Sequence, residues 1–329
     1  MPPRKSQKSN ARRPQSSGRR NSPGSRPGAV SWLLLWPFLL LNLATARLKW
    51  PLKWALRLAG HPALVGAMVL AVLAVVYGLR AKTYDLALIH AMPERSVIID
   101  RMGQEVGRIH GEKRSIVPLA EVSENFRKAI IAREDERFYR HGAIDLIGIA
   151  RAVIKNLQGK REGASTITQQ LASDIFQLKR GEERGQFLRQ LNRKFLEIAI
   201  AWRIETTFEK DEILETYINQ INWGRQIKGV GEASRIYFEK HPAELDLPEA
   251  ALLAGIVRGP DAYNPFRSIE AAQRERNTTL ERMVDAEMIT RAEADAAKKA
   301  PVAVRPVSRR GSNESYAMNA IRRDLEIIL

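Results

Sequence analysis

Residues 62–79, PALVGAMVLAVLAVVYGL, run for 18 positions without a charge. A helix that crosses a bilayer core needs about 20 apolar residues, with roughly 17 as the lower limit. This stretch therefore predicts a membrane-spanning helix, with Tyr77, Arg80 and Lys82 suited to the interface beyond it. A second apolar stretch, SWLLLWPFLLLNLATA over 31–46, is shorter and carries Pro37 and Asn42. Neither reads as a cleavable signal, because the basic tail before them is long and no small-residue cleavage site follows.

Charge sets the expected topology. Residues 1–84 hold 14 Lys and Arg and no acid, whereas the other 245 residues hold 39 Lys and Arg against 37 Asp and Glu. The net charge of +16 is thus a property of the amino-terminal end, and a basic face for nucleic acid is not expected on the folded body. Residues 1–29, rich in Pro, Ser, Gly and Arg, read as a disordered basic tail. The tail and the connector Arg47, Lys49, Lys53 and Arg57 are both basic, which places both on the cytoplasmic side. Residues 30–61 then form an interfacial or re-entrant segment, with Trp32, Trp36, Trp50 and Trp54 as anchors. A single crossing at 62–79 delivers residues 85–329 to the other side. A two-helix hairpin, the alternative, would leave them in the cytoplasm.

Cys is absent, which excludes disulfides, thiolate zinc sites and thiol nucleophiles. The five His show no i, i+3 or i, i+4 pair of the kind that holds a metal on a helix. Residues 96–110 read as a small β hairpin, with Val97, Ile98 and Ile99 before a turn and Val106 and Ile109 after it. From Ser123, a candidate N-cap, the apolar spacing is helical nearly throughout. Helices are expected over 144–157, 166–178, 185–204, 210–221, 230–238, 248–257, 268–288 and 290–299. The body, 96–300, is mainly α. Residues 301–329 read as a linker and a last helix from Tyr316.

Four blocks carry chemistry-bearing residues in order. In REDERFYRH, Glu134, Phe138 and His141 are i, i+4 and i+7, which on a helix puts a carboxylate, a ring and an imidazole on one stripe. That stripe could make a general base in a partly apolar wall, or simply be a solvated helix end with a core ring. In GASTITQQL a helix start with free N–H groups and hydroxyls suits an anionic or sugar ligand, and ordinary capping by Ser165 explains it as well. In RKFLE, Arg193 and Glu197 are i and i+4, either a plain helix salt bridge or cations for a diphosphate. The fourth block, Glu215-Thr-Tyr217-Ile-Asn219 through Gly224, fits packing and a glycine turn. A fifth, from Glu249 through Pro265, reads as a close-packed helix and a rigid exit loop.

Together and in this order, the blocks from about Val97 to Met288 resemble the peptidoglycan glycosyltransferases of family 51. Those enzymes occur alone or as the first domain of class A penicillin-binding proteins. Glu134, Asp135, Phe138 and His141 match E-D-x-x-F-x-x-H. Thr166, Thr168, Gln169 and Gln170 match T-x-T-Q-Q. Arg193, Lys194 and Glu197 match R-K-x-x-E, and Leu214, Glu215, Tyr217, Asn219 and Gly224 match the fourth block. The chain departs at Ala143 and Gln226, where a Gly is usual, and at Ser173 and Asp174, which replace a Lys and an Asn.

The resemblance implies a lysozyme-like α fold that polymerises lipid II into β-1,4 glycan with inversion, releasing undecaprenyl diphosphate. It implies Glu134 as general base and Glu197 as the second catalytic carboxylate, orienting the cations or holding a divalent metal such as Mg or Mn. Asp135, Phe138, His141, Thr166, Gln170, Arg193, Lys194 and Asn219 would serve substrate binding, and Lys179 or Arg180 would replace the cation lost at Ser173. No organic cofactor is implied. Implied partners are lipid II, the growing glycan, other cell-wall synthesis proteins and the bacterial inner membrane, with the catalytic body on the periplasmic side. No S-x-x-K or K-T-G signature of a transpeptidase is present. Two competing readings are a lysozyme-like enzyme that cuts glycan and a degenerate homologue that binds lipid II as a scaffold.

Overall fold

A computed structural model of the chain describes residues 29–304, apart from 90, 92–95, 100, 103–104, 110–115, 160–161, 180–186 and 225–226. The expectations for the basic tail, for Arg180 and Gln226, and for the last helix lie outside the described residues. The chain divides into two compact units, Met1–Ala71 and Val72–Leu329.

In the first unit, α1 (Ala29–Ala44) meets the opening turns of α2 (Trp50–Ala81), a helix that continues into the second unit. Arg57 joins them: its Nε donates to Thr45 Oγ1 at 2.9 Å and its Nη2 to Asn42 O at 2.8 Å. A cation on the last carbonyls of α1 satisfies groups the helix end leaves open. Gly60 allows the close approach, since a Cβ there would lie 2.7 Å from Leu41 Cδ2. The rings of Phe38 and His61 stack with centroids 5.8 Å apart.

The sequence started the spanning helix at residue 62, after an interfacial or re-entrant segment over 30–61, but α2 begins at Trp50 and runs 32 residues, through Pro62. Pro51 falls in its first turn, where no N–H partner is needed. At 1.5 Å per residue the helix is roughly 48 Å long, more than a hydrocarbon core of about 30 Å requires. Among the described residues it is the one helix long and apolar enough to cross a membrane.

In the second unit, β1 (Ser96–Ile99) and β2 (Glu105–Ile109) pair antiparallel, with an irregularity between Ile98 and Ile99. Nine helices follow among the described residues: α3 (Glu124–Glu134), α4 (Leu146–Leu157), α5 (Ile167–Ile175), α6 (Phe187–Thr207), α7 (Lys210–Gln220), α8 (Val230–Phe238), α9 (Leu247–Ile256), α10 (Ile269–Asp285) and α11 (Arg291–Lys299). Caps set many of their starts. Ser123, Ser268 and Thr290 accept from the N–H three residues on.

The core lies between α3, α7, α8, α9 and α10. Phe126, Ile130, Leu214, Trp223, Tyr237 and Leu253 are fully buried there. The Trp223 indole N–H donates to Leu253 O at 3.1 Å, so its burial leaves no orphan donor. Helices α9 and α10 touch at Gly255, where a Cβ would sit 3.0 Å from the Glu275 backbone.

The end of α2 is fastened to α6. Asn192 Oδ1 accepts from Tyr77 OH and from Arg80 Nη1, both at 2.8 Å. Tyr77 also packs on Phe195, ring centroids 5.3 Å apart. Below it, Arg203 donates to Tyr84 O at 2.8 Å and to Ala81 O.

Candidate active site

Helix α3 stops at Glu134, because Asp135 turns to an extended backbone (φ −159°, ψ 74°). The expected stripe of Glu134, Phe138 and His141 on one helix is therefore not formed. Asp135 uses its carboxylate elsewhere: Oδ2 accepts from the first N–H of α5, at Ile167, over 3.0 Å. Residues Phe138–Arg140 form a single tight turn with the Phe138 ring fully buried. The Lys210 ammonium lies over that ring, 4.3 Å from its centroid.

The turn brings Glu134 to the start of α5. Glu134 Oε2 accepts from Gln170 Nε2 at 2.9 Å, and Gln170 Oε1 accepts from the Tyr217 hydroxyl of α7 at 3.2 Å. Burial, reinforced by Glu134, Asp174 and Asp135, raises the Tyr217 pKa well above its ordinary value, so the hydroxyl keeps its proton. This chain of three residues aims the carboxylate without consuming its other oxygen. Glu134, Ser165 and Gln170, with Arg133, Arg258 and Arg282, line a cleft of about 170 Å³.

The cap of α5 is Thr166, not Ser165: its Oγ1 accepts from Gln169 N at 3.2 Å. Ser165 is left to accept from Lys194 Nζ at 2.7 Å. That bond joins the R-K-x-x-E block of α6 to the wall of the cleft. Glu197 is 3% exposed and lies between the two cations: Arg193 Nη1 donates to its Oε1, and Lys194 Nζ is 3.3 Å from its Oε2. Burial lowers the Lys194 pKa against the pull of Glu197.

Several residues expected to bind substrate are turned inward. Asn219 is fully buried and serves the backbone: it accepts from Val117 N at 3.0 Å and donates to Val117 O at 2.9 Å and Glu215 O at 3.0 Å. Glu215 accepts from Leu119 N at 2.7 Å. These residues pin the segment before α3, because an uncoiled backbone entering a core needs partners. Phe138 packs beneath the site. His141 and Asp135 are each 5% exposed at the side chain and bond to one another.

Three arginines of the cleft were not legible as site residues. Arg133 pairs with Glu275 of α10, and its carbonyl accepts from Arg282 Nη1 at 3.2 Å. Burial lowers the Arg133 pKa, against the pull of Glu275. Arg258 follows α9. It stands in a stretch the sequence assigned to structure, and its position beside Gly259 and Pro260 was the available signal.

Two sets of donors could face a divalent ion. Asp135, His141 and Asp145 bring ligand atoms within 4.8 Å of one another, with His141 Nδ1 turned to Gly142 O and Nε2 toward Asp135. Glu197 already faces two cations, and an ion there would have to displace one.

Ser173, at the position of the family's Lys, is 2% exposed, and its hydroxyl has no hydrogen-bond partner among the described residues. Lys179, expected to replace the lost cation, lies 3.2 Å from Asp174 Oδ1.

Comparison with known proteins bears on the family. Residues 102–284 match the transglycosylase family. Penicillin-binding protein 1A of Aquifex aeolicus is 40% identical over 215 residues, 65% of this chain and 28% of that protein. The Vibrio cholerae protein of the same name is 44% identical over 195 residues, 58% of this chain and 23% of its own. The crystal structure of penicillin-binding protein 1A from Haemophilus influenzae aligns over 72% of this chain and 25% of its own, with 22% identity and a TM-score of 0.42. The chain thus spans about a quarter of the length of these relatives. With more than half of its residues matched, the chain belongs to the transglycosylase family, family 51 of the glycosyltransferases.

Proposed function

We propose that the chain polymerises lipid II into β-1,4 glycan at a membrane surface, with inversion at the donor's anomeric carbon. The observation that carries this is the Glu134 carboxylate, held by Gln170 on one oxygen and facing a cleft rimmed by cations. Glu134 takes the proton of the acceptor's 4-hydroxyl as that oxygen attacks C1 of the growing chain. The C1–O bond to the diphosphate breaks, and the lipid diphosphate leaves with the bonding pair. Arg193 and Lys194, fixed by Glu197 and by Ser165, meet the charge that develops on it. Arg133, Arg258 and Arg282 sit beside Glu134, where the incoming acceptor carries a diphosphate of its own. Each acceptor and donor diphosphate brings its own affinity for a divalent ion, since Mg²⁺ is usually held by phosphates with one or two carboxylates. No step here is routed through a metal.

The reading places α2 across the inner membrane and residues 85–329 on the periplasmic side. Helix α4, which with Asp145 before it lines a second pocket that shares Glu134, Ser165 and Arg282 with the cleft, turns a row of large apolar side chains outward. Leu146, Ile147, Val153, Ile154 and Leu157 are 53–84% exposed. Such a face on a soluble surface is unusual, and beside a site that takes a lipid it suits immersion in the bilayer.

The test is incubation of the detergent-solubilised chain with labelled lipid II. Polymer with release of the lipid diphosphate is expected. Binding without turnover selects the scaffold reading, and cutting of finished glycan without use of lipid II selects the hydrolytic one.

A further inference from the structure

His141 has an oxygen partner at each ring nitrogen. Its Nδ1 lies 2.6 Å from Gly142 O and its Nε2 lies 2.7 Å from Asp135 Oδ1. A carbonyl oxygen can only accept, so Nδ1 carries a proton. Asp135 accepts at its second oxygen from Ile167 N, and with Asp135 ionised Nε2 carries a proton as well. In that state the ring is an imidazolium beside its counterion. The charged groups that face the pair are Asp145, at the start of α4, and Arg137, 3.2 Å from Asp145. Helix α5 meets it with backbone and neutral side chains: Ala143 O accepts from Gln169 Nε2 at 2.6 Å and from Thr166 Oγ1 at 3.3 Å. The segment from 135 to 143 is thus fastened to the first turn of α5 at Ile167, Thr166 and Gln169. The next residue, Gln170, holds Glu134.

We propose that the His141 imidazolium is a positioning residue for the transfer reaction: it holds Asp135 on the first N–H of α5 and so sets Gln170 against Glu134, without touching substrate. The proposal rests on the reading of Glu134 as the base. Burial opposes the charge, but the hydrogen bonds to Asp135 and Gly142, with Asp145 nearby, outweigh it and raise the ring above the ordinary imidazole pKa. A raised folded pKa means the clamp is complete below about pH 6.5 and is lost as pH rises through the folded value. A neutral imidazole keeps one proton, and one of its two acceptors then goes unpaired.

The experiment measures lipid II polymerisation by the full chain in detergent micelles, wild type and His141→Gln, from about pH 6 to pH 9, across the range in which a histidine titrates. The wild-type kcat is expected to fall on the alkaline side. His141→Gln is expected to lower kcat roughly 10–100-fold, as a misplaced catalytic group does, to leave KM for lipid II near its wild-type value, and to lose the alkaline fall. A variant with wild-type kcat, or with the alkaline fall intact, overturns the proposal. If His141→Gln does not fold, the ¹⁵N shifts of the wild-type ring decide: two protonated nitrogens at pH 7 support the clamp, and one unprotonated nitrogen overturns it. A wild-type chain that folds but makes no polymer refutes the base assignment alone, because the ring shifts still report the clamp.

Discussion

Gln170 and Asn219 carry the same amide group and use it in opposite ways. Gln170 spans from the Tyr217 hydroxyl to the Glu134 carboxylate and borders the cleft. Asn219 places all its bonds on backbone that would otherwise be orphaned. Their substitutions are therefore expected to separate. Glu134→Gln should lower the polymerisation rate by about 10²–10⁴-fold, the scale of a lost general base, with the urea unfolding midpoint unchanged. Asn219→Ala should unfold in less urea, by about 2 kcal/mol or more, since it strands a buried N–H and C=O at Val117. The sequence pointed to both residues through their blocks but could not tell them apart. Order along the chain reports that a position is constrained, whereas only packing reports which way the side chain faces. The same holds for Phe138, which lies under the site and not in it.

Among the elements, helix positions were readable from spacing, because each helix buries one stripe against the core and that stripe recurs every three to four residues. Helix α8 occupies the residues its periodicity marks, Val230–Phe238. The end of α3 was not readable. Residues 133–141 keep helical spacing, yet Asp135 leaves the helix because its carboxylate serves the first turn of α5, a partner 32 positions away. Contacts of that separation leave no local trace.

The meeting of α9 and α10 carries its own expectation. Gly255→Ala brings a methyl to 3.0 Å from the Glu275 backbone, and overpacking of this kind costs about 1–3 kcal/mol. A lowered melting temperature is expected. Activity should also fall below the melting transition, because α10 carries Arg282 to the cleft and pairs Glu275 with the cleft's Arg133. On α4, Leu146→Asp with Ile154→Asp should weaken binding of the chain to lipid vesicles and slow polymerisation, while the melting temperature stays within a degree or two. Those side chains are 74% and 57% exposed, so unchanged vesicle affinity would refute their immersion.

At the scale of the whole molecule, an excess of charge confined to one end and a long apolar helix were both plain in the sequence. The orientation they predict is checked by a reporter active only in the cytoplasm, fused after Leu329, which is expected to remain silent. The extent of α2 was less plain. Its first turns hold Lys53 and Arg57, and Arg57 belongs in the helix because it satisfies the carbonyl end of α1. Such a pairing cannot be anticipated from hydropathy.

Asn192 binds Tyr77 and Arg80 at the end of α2, and the next residue on α6 is Arg193. On the reading proposed above, the height of Arg193 over the lipid is set by where that helix emerges. A prenyl diphosphate floats at a level dictated by the thickness of the leaflet around it. The expectation on that reading is a transfer rate that favours one bilayer thickness. In vesicles of longer or shorter acyl chains the wild-type rate is expected to pass through a maximum, and Asn192→Ala, by loosening the emergence point, is expected to flatten it.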